Sequence, residues 1–183
     1  MNDFVLDHLL VMTDPGAPEA DDLIARGFVE GAPNRHPGQG TACRRFFFAN
    51  AMLEFAWVEN EEEARSELVH PLRLWERWAW RETGACPFGI ALRPTAPGLE
   101  PPFPTFEYWP SFFPAPAHVD IRASVIQFPL KFVLPYFERP QRGGPVLKHY
   151  RIEGTPPNSL MEIDFEDVPP LRFAMIASRP RHD

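Results

Sequence analysis

Proline governs what the second half of this chain can become. The 183-residue sequence holds 23 prolines, and they crowd the stretch from Pro94 to Pro116 and the segments after it. Each one removes a backbone donor and fixes φ at about −65°, so no regular helix runs through such a stretch. The interleaved Phe103, Phe106, Tyr108, Trp109, Phe112 and Phe113 are too apolar for a solvated linker. The spacing therefore predicts an ordered arm or pocket wall over 94–117. Strands remain for the rest, and apolar runs supply candidates at 118–128, 131–137, 148–154, 160–165 and 171–177.

The first half reads differently. Phe4 to Met12 is an apolar run broken by Pro15-Gly16, which predicts a buried strand with His8 on the face of Leu6 and Leu10. Pro18 to Arg26 has helical spacing, with Gly27 suited to its C-terminal end. Strands are expected at 28–32, 42–48 and 52–58, the first two separated by the turn-rich loop 33–41. A helix over 63–82 follows, with Pro71 marking a start or kink. Its Trp75, Trp78 and Trp80 read as core or interface anchors, and a strand resumes at 87–93.

Composition narrows the function. With 44% hydrophobic residues, five Trp and 16 Phe, the chain can fill a core and belongs to the folded class. A formal charge of −7 without clustered Lys or Arg argues against nucleic-acid phosphates or anionic lipid as partners. No 18-residue apolar run predicts a membrane span, and the acidic N-terminus does not resemble a signal peptide. Cys43 and Cys86 show no CxxC spacing and read as reduced, buried thiols. A soluble cytoplasmic protein is the expectation.

The segments DHLLVMTD, NRHPGQGTACRRFFF, MLEFAWVE and CPFGIALRP together resemble the glyoxalase-like proteins of the vicinal oxygen chelate superfamily, over residues 4–93 and more loosely beyond. That resemblance implies an α+β fold of paired βαβββ modules forming a cup-shaped, curled mixed β-sheet. It divides a single domain, 1–183, into a first module (1–60), a linking helix (61–85) and a divergent, irregular second module (86–183) carrying the proline-aromatic arm. It also implies a small-molecule ligand or substrate and a homodimer.

In metal-dependent members of the superfamily one divalent ion, such as Zn, Ni, Fe or Mn, is held by four residues. His8 matches the first position and Glu54 the second. The third falls on Gly89, which has no side chain to offer. For the fourth, Glu138 in LPYFERP and Glu162 in LMEIDFE are both open; Glu138 would complete a set of His8, Glu54 and Glu138. The resemblance implies Lewis-acid chemistry in a lyase, isomerase or dioxygenase, with Glu54 as base or ligand and His8 as ligand or orienter. A metal-free relative of the bleomycin-resistance type would only sequester its ligand.

The residues carry their own argument. A carboxylate between Leu53 and Phe55 in an apolar strand needs a cation, a hydrogen bond or water, which singles out Glu54. His8 is either a ligand or a core histidine bonded to its neighbours. Arg35, His36, Gln39 and Thr41, in a loop with Gly38 and Gly40, could grip a carboxylate or phosphate oxygen, or could simply turn a hairpin. Tyr108 and Trp109 could line an apolar pocket or pack the arm.

Overall fold

The computed structural model describes residues 3–138, 142–156 and 158–176. Its first half runs β1 (Phe4–Met12), α1 (Glu19–Ala25), β2 (Asn34–His36), β3 (Thr41–Phe47) and β4 (Met52–Val58), the order read from the sequence. One strand lies elsewhere than expected. The segment 28–32 keeps only an isolated bridge from Glu30 to Phe46, and β2 forms inside the turn-rich loop. Gly38 and Gly40, at φ of 76° and 73°, close a tight hairpin that carries Asn34, Arg35 and His36 onto β3.

The single helix expected over 61–85 is broken into α2 (Glu61–Ala64), a 3-10 turn at His70–Leu72, α3 (Leu74–Trp78) and α4 (Trp80–Thr83). Pro71 starts the turn, Arg73 takes a left-handed φ of 56° after it, and Gly84 ends the last piece at φ 67°. Trp80 is buried, and Trp75 lies under the Arg65 guanidinium, 3.6 Å from its ring centroid. Trp78 packs into an interior cluster. Trp80 thus serves as a core anchor, while Trp75 and Trp78 are half-buried. Arg77, 2% exposed, donates to the carbonyls of Cys86 and Phe128 at 3.0 and 2.9 Å and pins the 126–128 segment. Burial lowers its pKa to about 10.

The second half supplies β5 (Phe88–Pro94), β6 (Thr105–Tyr108), β7 (Val119–Arg122), β8 (Leu130–Val133), β9 (Leu147–Thr155), β10 (Asn158–Phe165) and β11 (Leu171–Ile176). It contains no helix among the described residues, as its prolines require. Ala177, at the end of the last expected strand, lies outside the described residues.

Eight strands form one mixed sheet in the order β2-β3-β4-β1-β5-β8-β7-β6, and β11-β10-β9 form a second. At the centre β1 runs parallel to β4 and antiparallel to β5, which in turn runs parallel to β8. The large sheet is not closed: among the described residues β2 and β6 do not pair. Their neighbourhoods meet all the same, since the Ser111 hydroxyl donates to the Pro37 carbonyl at 2.6 Å and Phe112 packs on His36 with ring centroids 4.9 Å apart.

Period-2 alternation sorts the side chains of the large sheet onto two faces. Leu9, Val11, Phe46, Leu53, Phe55 and Phe88 point one way, into a core completed by α1 and by Met161, Ile163, Leu171 and Phe173 of the small sheet. Burying each large side chain there is worth about 1.5–3 kcal/mol. Leu10, Met12, Cys43 and Ala56 point the other way, toward Leu72, Leu74, Tyr108, Val119, Ile121 and Leu130. That second face is concave, and the helical pieces and the arm roof it.

Candidate functional site

The concave face encloses a cavity of about 380 Å³ whose lining comes from seven of the eight strands of the large sheet, all but β5. One part of its wall is hydrocarbon: Leu10, Met12, Leu72, Leu74, Val119, Ile121, Leu130 and the rings of Phe112, Phe113 and Phe132. The other part is polar and gathers Asp7, His8, Asn34, His36, Gln39, Thr41 and Glu54. Such a division suits a small molecule with an apolar body and one polar end. Tyr108 is 4% exposed, and burial pushes its hydroxyl up to about 12, so it offers a neutral donor from the apolar wall.

A bulge in β1 builds the centre of the polar end. Leu6 pairs with Leu92 and His8 with Ala91, which leaves Asp7 as the extra residue. Neighbours on a regular strand point to opposite faces, but across this bulge Asp7 and His8 both line the cavity. Asp7 Oδ1 lies 2.8 Å from His8 Nδ1, and its Oδ2 lies 3.6 Å from Arg93 Nε. The carboxylate can only accept, so Nδ1 carries the proton in the neutral ring and Nε2 keeps its lone pair. Nε2 lies 4.0 Å from Glu54 Oε2. Phe132 meets the imidazole edge-on, with centroids 5.4 Å apart, and limits its rotation.

Glu54 has a second set of neighbours. Register places Asn34 beside Cys43, His36 beside Thr41 and Cys43 beside Ala56, two residues from Glu54, so alternate residues of β2, β3 and β4 converge on the concave face. One ligand-type atom each from His36, Cys43 and Glu54 lies within 4.8 Å of the other two. The Asn34 amide donates to His36 Nε2 at 3.1 Å, and the Thr41 hydroxyl lies 2.9 Å from Nδ1. An amide nitrogen only donates, so Nε2 again holds the lone pair. Burial lowers the His36 pKa, and burial together with the Glu54 charge pushes the Cys43 thiol well above its ordinary value. Both groups are therefore neutral at pH 7. Arg45, the cross-strand partner of Glu54, spends its guanidinium on the Ala32 carbonyl at 2.9 and 3.1 Å.

The residues singled out from the sequence divide into those inside the cavity and those outside it. His8, Glu54, Arg35, His36, Gln39, Thr41 and Tyr108 line it. Trp109 is 46% exposed and packs on His118 instead. The loop that could have gripped an anion already holds one of its own. The Glu63 carboxylate accepts from the backbone N–H groups of Gly38 and Gly40 at 2.7 and 3.1 Å, and Arg35 is paired to Glu59 at 2.8 Å.

The four-ligand set implied by the resemblance does not fit this fold. A Cβ added at Gly89 would lie 3.0–3.1 Å from Leu10 Cδ2 and Cβ, so hydrocarbon fills the third position. Glu138 is exposed and outside the cavity lining. Glu162 stands on the small sheet, bound by Arg151 and Arg172 at 3.0 Å each, and those bonds hold its carboxyl below the ordinary range. Asp7, Asn34, Cys43 and Phe132 are the residues at the polar end that sequence reasoning passed over. The bulge that turns Asp7 inward has no sequence marker.

No protein-family model matches the chain, and no curated protein matches it. Among solved structures, a hypothetical protein from Bacillus halodurans C-125 is similar at 12% identity and a TM-score of 0.47, covering 77% of this chain and all of that one.

Proposed function

We propose that the chain is a glyoxalase-like protein of the vicinal oxygen chelate type, whose cup binds a small oxygen-bearing organic molecule and transfers a proton on it. The modular part of this reading is supported by the strand order. In each half of the large sheet the first strand lies beside the last, β1 beside β4 and β5 beside β8, and the two halves meet at β1 and β5. The loop 95–104 stands where the second module would carry its helix.

One observation carries the chemistry: Asp7, His8 and Glu54 converge at the polar end of an otherwise apolar cavity. In this reading His8 Nε2 takes a proton from a carbon next to a carbonyl, the C–H electron pair passes to the carbonyl oxygen as an enolate, and the imidazolium returns the proton to the neighbouring carbon. Asp7 fixes the imidazole and stabilises the imidazolium that forms. Glu54 accepts a hydrogen bond from a hydroxyl of the bound molecule and steadies the same positive charge. The hydrocarbon wall holds the apolar body and excludes water, which strengthens these electrostatic contacts. The reaction class is that of an isomerase or lyase. Because the implied ligand set does not fit the residues present, no step runs through it.

A second reading, sequestration without turnover, is favoured by the Leu10 side chain packed against Gly89, where the third ligand would otherwise stand. Incubating the protein in deuterium oxide with small aryl ketones and hydroxyketones, and following the proton next to the carbonyl by NMR, separates the two. Catalysed exchange that falls about 10²–10⁴-fold in His8→Ala supports proton transfer. Saturable binding with no exchange supports sequestration, and neither binding nor exchange overturns both.

A further inference from the structure

We propose that His36 and Cys43, neither of which the family resemblance assigns to a ligand position, join Glu54 in a binding site for a divalent cation of the zinc class. The three donors come from three adjacent strands, β2, β3 and β4, and converge within 4.8 Å. Around a tetrahedral zinc ion with ordinary bond lengths, ligand atoms stand about 3.5 Å apart. The group therefore needs to close by roughly 1 Å, which rotation about side-chain bonds supplies.

Each donor is prepared in a different way. Thr41 holds the His36 ring by Nδ1, as a neighbour orients a metal-bound imidazole, and the Nε2 lone pair accepts from the Asn34 amide at 3.1 Å, a bond that the cation would replace. Glu54 is 9% exposed, and its cross-strand arginine is turned away to Ala32, so its charge lacks a fixed guanidinium partner. Cys43 is fully buried and does not itself line the cavity. Three protein ligands leave a fourth position open, and His36 and Glu54 both line the cavity, so that position faces the cup and fits an oxygen of the bound molecule. The thiol excludes hard cations from preference: Mg and Ca favour all-oxygen sites, whereas Zn and Co take imidazole, carboxylate and thiolate together.

This inference rests on the cup being the functional site, but its test is independent of ligand or turnover. Full-length protein, reduced and stripped with chelator, is titrated with Co(II). The expected result is one equivalent bound, with a thiolate-to-cobalt absorption in the near ultraviolet, displaced by Zn(II) and not by Mg(II) or Ca(II). That absorption disappears in Cys43→Ser and Cys43→Ala and persists in Cys86→Ser. His36→Gln weakens binding by at least about tenfold, since even the groups that orient a ligand contribute that much, and circular dichroism confirms that each variant is folded. No bound cobalt, cobalt without the near-ultraviolet band, or a band that survives in Cys43→Ala overturns the proposal. Binding lost in His8→Ala but kept in Cys43→Ala also overturns it, by placing the cation between His8 and Glu54, and leaves the cup reading intact. Metal bound as described, with no organic molecule ever entering the cavity, would remove the cup reading and leave the cation site standing.

Discussion

His8 Nε2 and Glu54 Oε2 face each other across the β1–β4 pair at 4.0 Å. That distance is too long for a hydrogen bond and short enough for one atom of a bound molecule to bridge both groups. The two groups are held from behind by different neighbours. Asp7 grips His8 at 2.8 Å, whereas the cross-strand arginine of Glu54 turns elsewhere. The imidazole is thus held by the Asp7 carboxylate, and the Glu54 carboxylate has the Cys43 thiol as its hydrogen-bonding neighbour.

Asp7 determines which nitrogen of His8 faces the cavity. Long-range 15N–1H spectra of the wild type, taken where the His8 ring is neutral, are expected to show its proton on Nδ1. In Asp7→Asn the side-chain amide can also donate, and the tautomers should mix. An unchanged His8 spectrum in that variant would remove Asp7 from this role.

Gly89 is needed for its size. A Cβ there meets Leu10 at 3.0–3.1 Å, and overpacking of this kind costs about 1–3 kcal/mol. Gly89→Ala should therefore lower stability by about that amount in urea melts. The penalty should shrink when Leu10→Ala is added, because the two residues share the contact. Equal penalties in both backgrounds would show that the space around Gly89 does not matter.

The first half of the chain was far more legible than the second, for a physical reason. β1, α1, β3 and β4 have clean periodicity because each packs one continuous apolar face on a core. The three-residue β2 does not: it forms where the Gly38 and Gly40 turn sets the register, so the sequence suggested a loop there and a strand one segment too early. The helix over 61–85 was expected to start or kink at Pro71, and the chain does break there, at Pro71 and the left-handed Arg73. His8 and Glu54 were visible as polar residues in apolar strands. Asp7 was hidden because alternation assigns it to the opposite face, and Cys43 because a buried thiol looks the same whether or not it stands beside a carboxylate and an imidazole.

Both cysteines should be inert in the native, metal-free protein. Cys43 and Cys86 are buried, and burial raises both thiols above their ordinary value, so little thiolate exists at pH 7–8. Titration with a chromogenic disulfide should report almost no fast-reacting thiol before denaturation and two thiols per chain after it. Rapid labelling of Cys43 in the folded protein would contradict the burial assigned to it.

Acid should loosen the first half of the chain through Glu30. Arg44 donates to both Glu30 oxygens at 2.7 and 2.8 Å and to Asp21 at 2.8 Å, tying the 28–32 segment and α1 to β3. The hydrogen bonds from Arg44 hold the Glu30 carboxyl below its ordinary value of 4.5. The unfolded chain then binds the proton more readily than the folded one. This contribution to stability is accordingly complete above the unfolded pKa and disappears as pH falls through the folded value. Glu30→Gln should cost about 1 kcal/mol at pH 7 and flatten the stability profile below pH 4.5. An acid limb identical to the wild type's would contradict this.

The central claim is that the concave face, with His8 and Glu54 at its polar end, receives a small molecule. The most direct test is a screen of small oxygen-bearing aromatic compounds against 15N,13C-labelled protein, with chemical-shift changes mapped by residue. The account requires saturable shifts centred on His8, Glu54, Ala56, Tyr108 and Leu130, with the small sheet undisturbed. Compounds that bind elsewhere and leave those five residues unmoved, or no binding at all, would contradict it.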